Sequence, residues 1–214
     1  MLRTLARVMT GLKSLAADDR NRAHAAAREE LTPIVAASRD LAMTVNYEAP
    51  SKLLDILVPR LPSGGSVIFY ISLWSSFYPH PQVPIYYQNI AESKHEMECW
   101  LEMRASTWAA RNITTAVISS TWISDTRIGQ VLDRFCAEPL PSVERERWRR
   151  TYVTCSDLTE ATLGILGRSG QGSTGGFVRL FLTGPGKVIG NMCPNDAPMQ
   201  YPVVLAANAP NWSD

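Results

Sequence analysis

Three short, mostly apolar runs constrain this chain most. They are SVIFYISL at 66–73, ITTAVIS at 113–119 and FVRLFLT at 177–183. Each is strand-length and bounded by turn residues, such as Pro62-Ser63-Gly64-Gly65, Gly175-Gly176 and Gly184-Pro185-Gly186. Runs with no polar alternation suit strands buried on both faces, as in a parallel sheet. Between them lie segments with helical periodicity at 88–110, 126–136 and 156–166. Parallel strands need crossovers of about a dozen residues or more, which these helices supply. The pattern predicts a three-layer α/β arrangement in which the sheet's first edge stays open.

Other segments are less regular. Residues 41–61 read as a helix that Pro50 kinks or restarts, and 74–86 as a proline-rich loop. Ser156-Asp157 reads as an N-cap pair. The domain reading is a helical, polar segment at 1–40 with a breaker at Pro33, an α/β domain at 41–186, and a Pro-rich surface tail at 187–214. Met1 to Leu15 carries Arg3, Arg7 and Lys13 without an acid, and resembles a transit peptide or surface helix.

A formal net charge of +1 gives no electrostatic reason to expect nucleic acid as a partner. No stretch reaches the roughly 20 apolar residues of a membrane span. Cys99, Cys136, Cys155 and Cys193 form no CxxC pair, so metal-ligand spacing is absent and four reduced thiols in a cytoplasmic protein are expected. His24, His80 and His95 lie in polar settings and read as surface residues.

Ligands of open α/β sheets bind at the carboxyl ends of the strands. Here those ends are Ser72-Leu73-Trp74, Ser119-Ser120-Thr121-Trp122 and Thr183-Gly184. The helix after the first strand places Ile90, Lys94, Met97, Leu101, Ala105 and Trp108 on one face. Lys94 is then a charge on an apolar stripe, and a buried ammonium is costly unless paired. Tyr87 falls on the same side two turns earlier. A lysine near a phenol can lower the phenol's pKa and help it donate a proton. The alternative is that Lys94 snorkels to water from the helix edge.

The run GGSVIFYIS, the tyrosine-rich loop after it, and ESKHEMECWLEMRASTWAARNITTAVISSTWISDT resemble the short-chain dehydrogenase/reductase superfamily. The upstream MTVNYEAPSKLLDILVPRLP resembles a helix of that family. The likeness covers about residues 40 to 185. It implies a partial Rossmann-like parallel sheet flanked by helices, without the family's N-terminal nucleotide-binding βαβ units. It also implies roles: Asn46 anchors a proton-relay water, Ser72 holds a substrate carbonyl, Tyr87 donates a proton, and Lys94 binds a nicotinamide ribose. Trp122, Ile123 and Thr126 match a cofactor-side loop. Ile90 stands where the family's tyrosine belongs. Tyr87 gives Tyr-x6-Lys instead, similar to the enoyl-acyl-carrier-protein reductases, with Tyr86 as the neighbouring candidate. Ser120-Thr121 replaces the family's Pro-Gly.

The resemblance implies an NAD- or NADP-dependent oxidoreductase acting on a small carbonyl or acyl-thioester substrate, in a homo- or hetero-oligomer. It implies no metal. The alternatives are a non-redox subunit, a cyclase or isomerase on the same scaffold, or a truncated gene product. Trp100 and Trp108 belong either to a subunit interface or to the core. Gly170-x-Gly172-x-x-Gly175 is not a dinucleotide fingerprint, because it precedes a strand rather than following one.

Overall fold

The computed structural model describes residues 33, 36–76, 78, 79, 83, 87–133, 142–169, 175–182, 184, 188 and 189. A continuous helical rod, α1, spans 36–57. It is α-helical at 36–43, π-helical at Thr44–Glu48 and α-helical again at Ala49–Leu57, then tightens into a 3-10 turn at Val58–Arg60. Strand β1 (Ser66–Ser72) runs directly into a one-turn helix, α2 (Leu73–Ser76). Then come α3 (Gln88–Ala109), β2 (Thr114–Ser120), α4 (Arg127–Leu132), α5 (Ser142–Arg149), α6 (Cys155–Ser169), β3 (Phe177–Leu182) and β4 (Val188–Ile189).

The sheet order is β1-β2-β3-β4. The first three strands are parallel, and β4 adds antiparallel to β3. This is an α/β fold with helices packed on a three-stranded parallel sheet. Among the described residues no strand precedes Ser66, and β1 pairs only with β2.

Two apolar layers sandwich the sheet. On one face Met97, Trp100, Leu101, Ala105 and Trp108 of α3 pack with Val58 against Val67, Ile71, Ile113, Val117 and Phe177. On the other, Ala161 and Ile165 of α6 pack with Val153 against Ala116, Ile118, Leu180 and Leu182. Met97 and Leu101 are fully buried, each contributing about 1.5–3 kcal/mol of transfer free energy. The predicted apolar stripe of α3 is therefore its core face. Trp100 and Trp108 meet edge to face at 5.7 Å inside this core. Core packing, not a subunit interface, accounts for both.

Several local readings change. Pro50 does mark a restart, but without breaking the rod. It lacks an N–H, and the chain widens into a π-turn just before it, with the Ala49 amide reaching back to Thr44. Pro33 is itself helical rather than a breaker. Leu73–Ser76 is helix, not loop. The helix at Ser142–Arg149 has no strong apolar period and was not visible in the pattern. The N-cap of α6 is Thr154: its hydroxyl accepts from the Asp157 amide, and the Asp157 carboxylate accepts from the Thr154 amide at 2.7 Å. This is a reciprocal capping box, so Ser156 lies inside the first turn. The tail reading at 187–214 gives way at its start to strand β4. The rest of the tail, residues 1–32, Tyr86, His24, His80, Cys136, Cys193, Gly170 and Gly172 lie outside the described residues.

Candidate functional site

Register aligns the strand ends. Ser72 pairs with Ser120, and Ser120 with Leu182. The Ser72 hydroxyl accepts the Trp74 amide at 3.3 Å, which holds it at the turn into α2. Tyr87 caps the start of α3 at this same end of the sheet. Burial pushes its phenol above the ordinary value of 10.0, and a hydrogen-bonding contact with Ser72 draws it part of the way back. A neutral phenol thus faces a hydroxyl at the carboxyl end of the first strand, the arrangement that presents O–H donors to a carbonyl oxygen.

Lys94 is half-buried two turns along α3, and burial lowers its pKa. Among the described residues it makes no ion pair, and it is not among the groups that perturb Tyr87. Ser72 and Tyr87 are therefore brought together. Asn46 docks beside the lysine rather than on it: its amide donates to the buried Ser93 hydroxyl at 3.1 Å. Asn46 also sits in the π-turn, and Pro50, four residues on, has no N–H for the Asn46 carbonyl. Further contacts tie α1 to the start of α3: Asn89 donates to Ser38 at 3.1 Å, and Arg39 forks onto Glu92 at 3.0 and 2.6 Å.

The predicted cofactor-side residues are occupied in holding their own loop. The Thr126 hydroxyl accepts the Gly129 amide at 3.0 Å as the N-cap of α4, and donates to the Ile123 carbonyl at 2.8 Å. A side chain at Gly129 would stand 1.9 Å from that carbonyl. Ile123 bridges Val153 and packs on the α6 layer, and Trp122 packs on Tyr152 at 5.5 Å. The loop is rigid. The Thr126 hydroxyl has already made these two bonds.

The apolar-stripe reading missed a buried polar network on the α3 face. Glu98, at 3% exposure, is the most buried charge on α3, ahead of Lys94. Its carboxylate meets Arg179 of β3 at 2.6 Å and accepts from the Ser76 hydroxyl at 3.2 Å. Ser76 in turn shares a 2.8 Å hydrogen bond with Ser119 of β2. Burial pushes Glu98 up, and the Arg179 charge opposes this. The network fixes α2, four residues after Ser72. Its signal was present in the sequence: Arg179 is the one charge inside FVRLFLT, and Glu98 falls next to Met97 on the core face.

His95 also departs from the surface reading. It is half-buried, its Nδ1 donates to the Ser75 carbonyl at 3.0 Å, and its ring packs on Tyr78. Nε2 lies 3.6 Å from the Cys99 sulfur. Burial, then the acids Glu96, Glu98 and Glu102, push the Cys99 thiol up, so it is not an activated nucleophile. Cys99 and Cys155 are free thiols. Among the described residues no cluster of three or more His, Cys, Asp or Glu could hold a metal, and no helix is long and apolar enough to cross a membrane.

The fold is an α/β domain, with Ser72 and the buried Tyr87 phenol at the carboxyl end of its first strand. No protein-family model matches the chain, and no curated protein matches its sequence.

Proposed function

We propose that this chain carries the substrate-handling part of a short-chain dehydrogenase/reductase-type, Rossmann-like domain, and reduces a carbonyl or an enoyl thioester with NADH or NADPH in the cytoplasm. The observation that carries this reading is the contact between Ser72 and the neutral Tyr87 phenol at the carboxyl end of β1. In this reading Ser72 orients the substrate oxygen and Tyr87 protonates it. Lys94 binds the nicotinamide ribose, and Asn46 positions a water. The dinucleotide would supply the hydride. The test is a binding titration of the full chain with NADH and NADPH. Saturable binding supports the reading, and no binding at millimolar dinucleotide removes it for the isolated chain.

A second reading is a non-redox subunit that pairs with another copy or an intact homologue. Two observations favour it. Lys94 is not among the groups that act on the Tyr87 phenol, and α1 leaves Leu41, Val45, Leu53 and Ile56 exposed. Light scattering separates the readings: a stable monomer counts against the subunit reading.

A further inference from the structure

Ser72 has two structural duties. It ends β1, where it pairs with Ser120, and it caps α2, where its hydroxyl accepts the Trp74 amide at 3.3 Å. A single turn of four residues is too short to hold itself by its own hydrogen bonds, so the place of α2 depends on its ties. Two of these come from α3, where His95 and Glu98, three residues apart, share a side. His95 Nδ1 donates to the Ser75 carbonyl at 3.0 Å, and the Ser76 hydroxyl donates to Glu98 Oε2 at 3.2 Å. The other Glu98 oxygen, Oε1, meets Arg179 of β3 at 2.6 Å. Ser76 has one hydroxyl proton and gives it to Glu98, so Ser119 of β2 is the donor in their 2.8 Å hydrogen bond. One carboxylate thus ties β2 and β3 to the turn that follows β1.

We propose that Glu98 is a positioning residue: acting through Ser76 and α2, it holds the Ser72 hydroxyl in place at the carboxyl end of β1. Its value to a reaction rests on the reductase reading above, whereas its hold on Ser72 does not. Glu98 is not among the groups that act on the Tyr87 phenol. Its influence on the Ser72–Tyr87 contact therefore runs through the placement of α2 and not through its charge.

Two variants test the link. Glu98→Ala removes the anchor, and Ser76→Ala cuts the link while sparing the buried Glu98–Arg179 pair, so the fold survives in at least the second. Amide hydrogen exchange of the full chain, followed by NMR without dinucleotide, is read at Trp74 and at Val117. Val117 lies fully buried in β2 and reports opening of the whole sheet. Each variant should speed Trp74 exchange about 2- to 10-fold relative to Val117, the worth of one hydrogen bond. In Ser76→Ala the Tyr87 midpoint should also rise, as it should in Ser72→Ala, because a displaced serine no longer favours the ionised phenol. An unchanged Trp74 ratio in either folded variant overturns the proposal. So does a Tyr87 midpoint that answers to Ser72→Ala but not to Ser76→Ala. A midpoint that ignores Ser72→Ala as well removes the Ser72–Tyr87 contact, and with it the reductase reading, and the Trp74 ratio alone then decides the role of Glu98.

Discussion

The two ends of the sheet are built on opposite principles. At the amino end, polar groups are committed to one another. The Gly64 amide donates to the Asn112 carbonyl at 2.9 Å, and the Gly175 amide donates to the Asn112 side chain at 3.0 Å. Asn112 holds a φ of 58°, a conformation asparagine tolerates at a helix end. Arg111 donates to the carbonyls of Val58, Pro59 and Leu61, closing the end of α1. At the carboxyl end, burial pushes the Tyr87 phenol up and the Lys94 amine down, and Ser72 lies against the phenol. One end is finished as structure. The other carries both a committed network, Ser119–Ser76–Glu98–Arg179, and Lys94, which makes no ion pair among the described residues.

The sharpest break of this contrast is Tyr87→Phe. On the proposed reductase reading it should lower carbonyl or enoyl reduction about 100- to 10,000-fold, the usual worth of a positioned acid. Unfolding free energy should move by no more than about 1 kcal/mol, since one hydrogen bond is lost. Steady-state kinetics paired with urea denaturation checks both. Glu98→Ala crosses the two regions. It removes the closer of the two acids that Arg179 meets, leaving Glu102 at 3.4 Å, and breaking a buried pair from one side costs up to about 3–5 kcal/mol in urea unfolding. Gly175→Ala tests the amino end. Its Cβ would meet the Ile113 backbone at 2.8 Å, and such overpacking costs about 1–3 kcal/mol with activity retained.

The smallest effect is a pH dependence. Burial holds the folded pKa of Lys94 below its ordinary value of 10.5, so the unfolded chain binds more protons between those two values. Stability contributed through Lys94 therefore rises with pH across that window. Lys94→Met should be the more stable protein near neutrality, with its advantage shrinking as pH approaches 10.5. Denaturation midpoints of both proteins at several pH values check the sign.

The amino end and the core were legible because they follow period and composition. The mostly apolar runs at 66–73, 113–119 and 177–183 became β1, β2 and β3, shifted by at most a residue or two. The stripe from Met97 to Trp108 became the core face of α3. Ser72 and Tyr87 were legible as a pair, since one ends a strand and the other opens the next helix. What pattern could not show was pairing between distant charges. The Glu98–Arg179 contact spans 81 positions, and only the packed sheet reveals it. The π-turn at Thr44–Glu48 was equally hidden, because Pro50 predicts a disturbance without specifying its form.

The account rests on the Ser72–Tyr87 contact, and titrating Tyr87 in the intact chain tests it most directly. Carbon-13 tyrosine-ring NMR can follow the phenol, with Tyr87→Phe assigning the signal. The account predicts a midpoint above the ordinary 10.0, and a further rise in Ser72→Ala, because the serine's hydrogen bond favours the ionised phenol. A Tyr87 that titrates at the free value, with no response to Ser72→Ala, would contradict it.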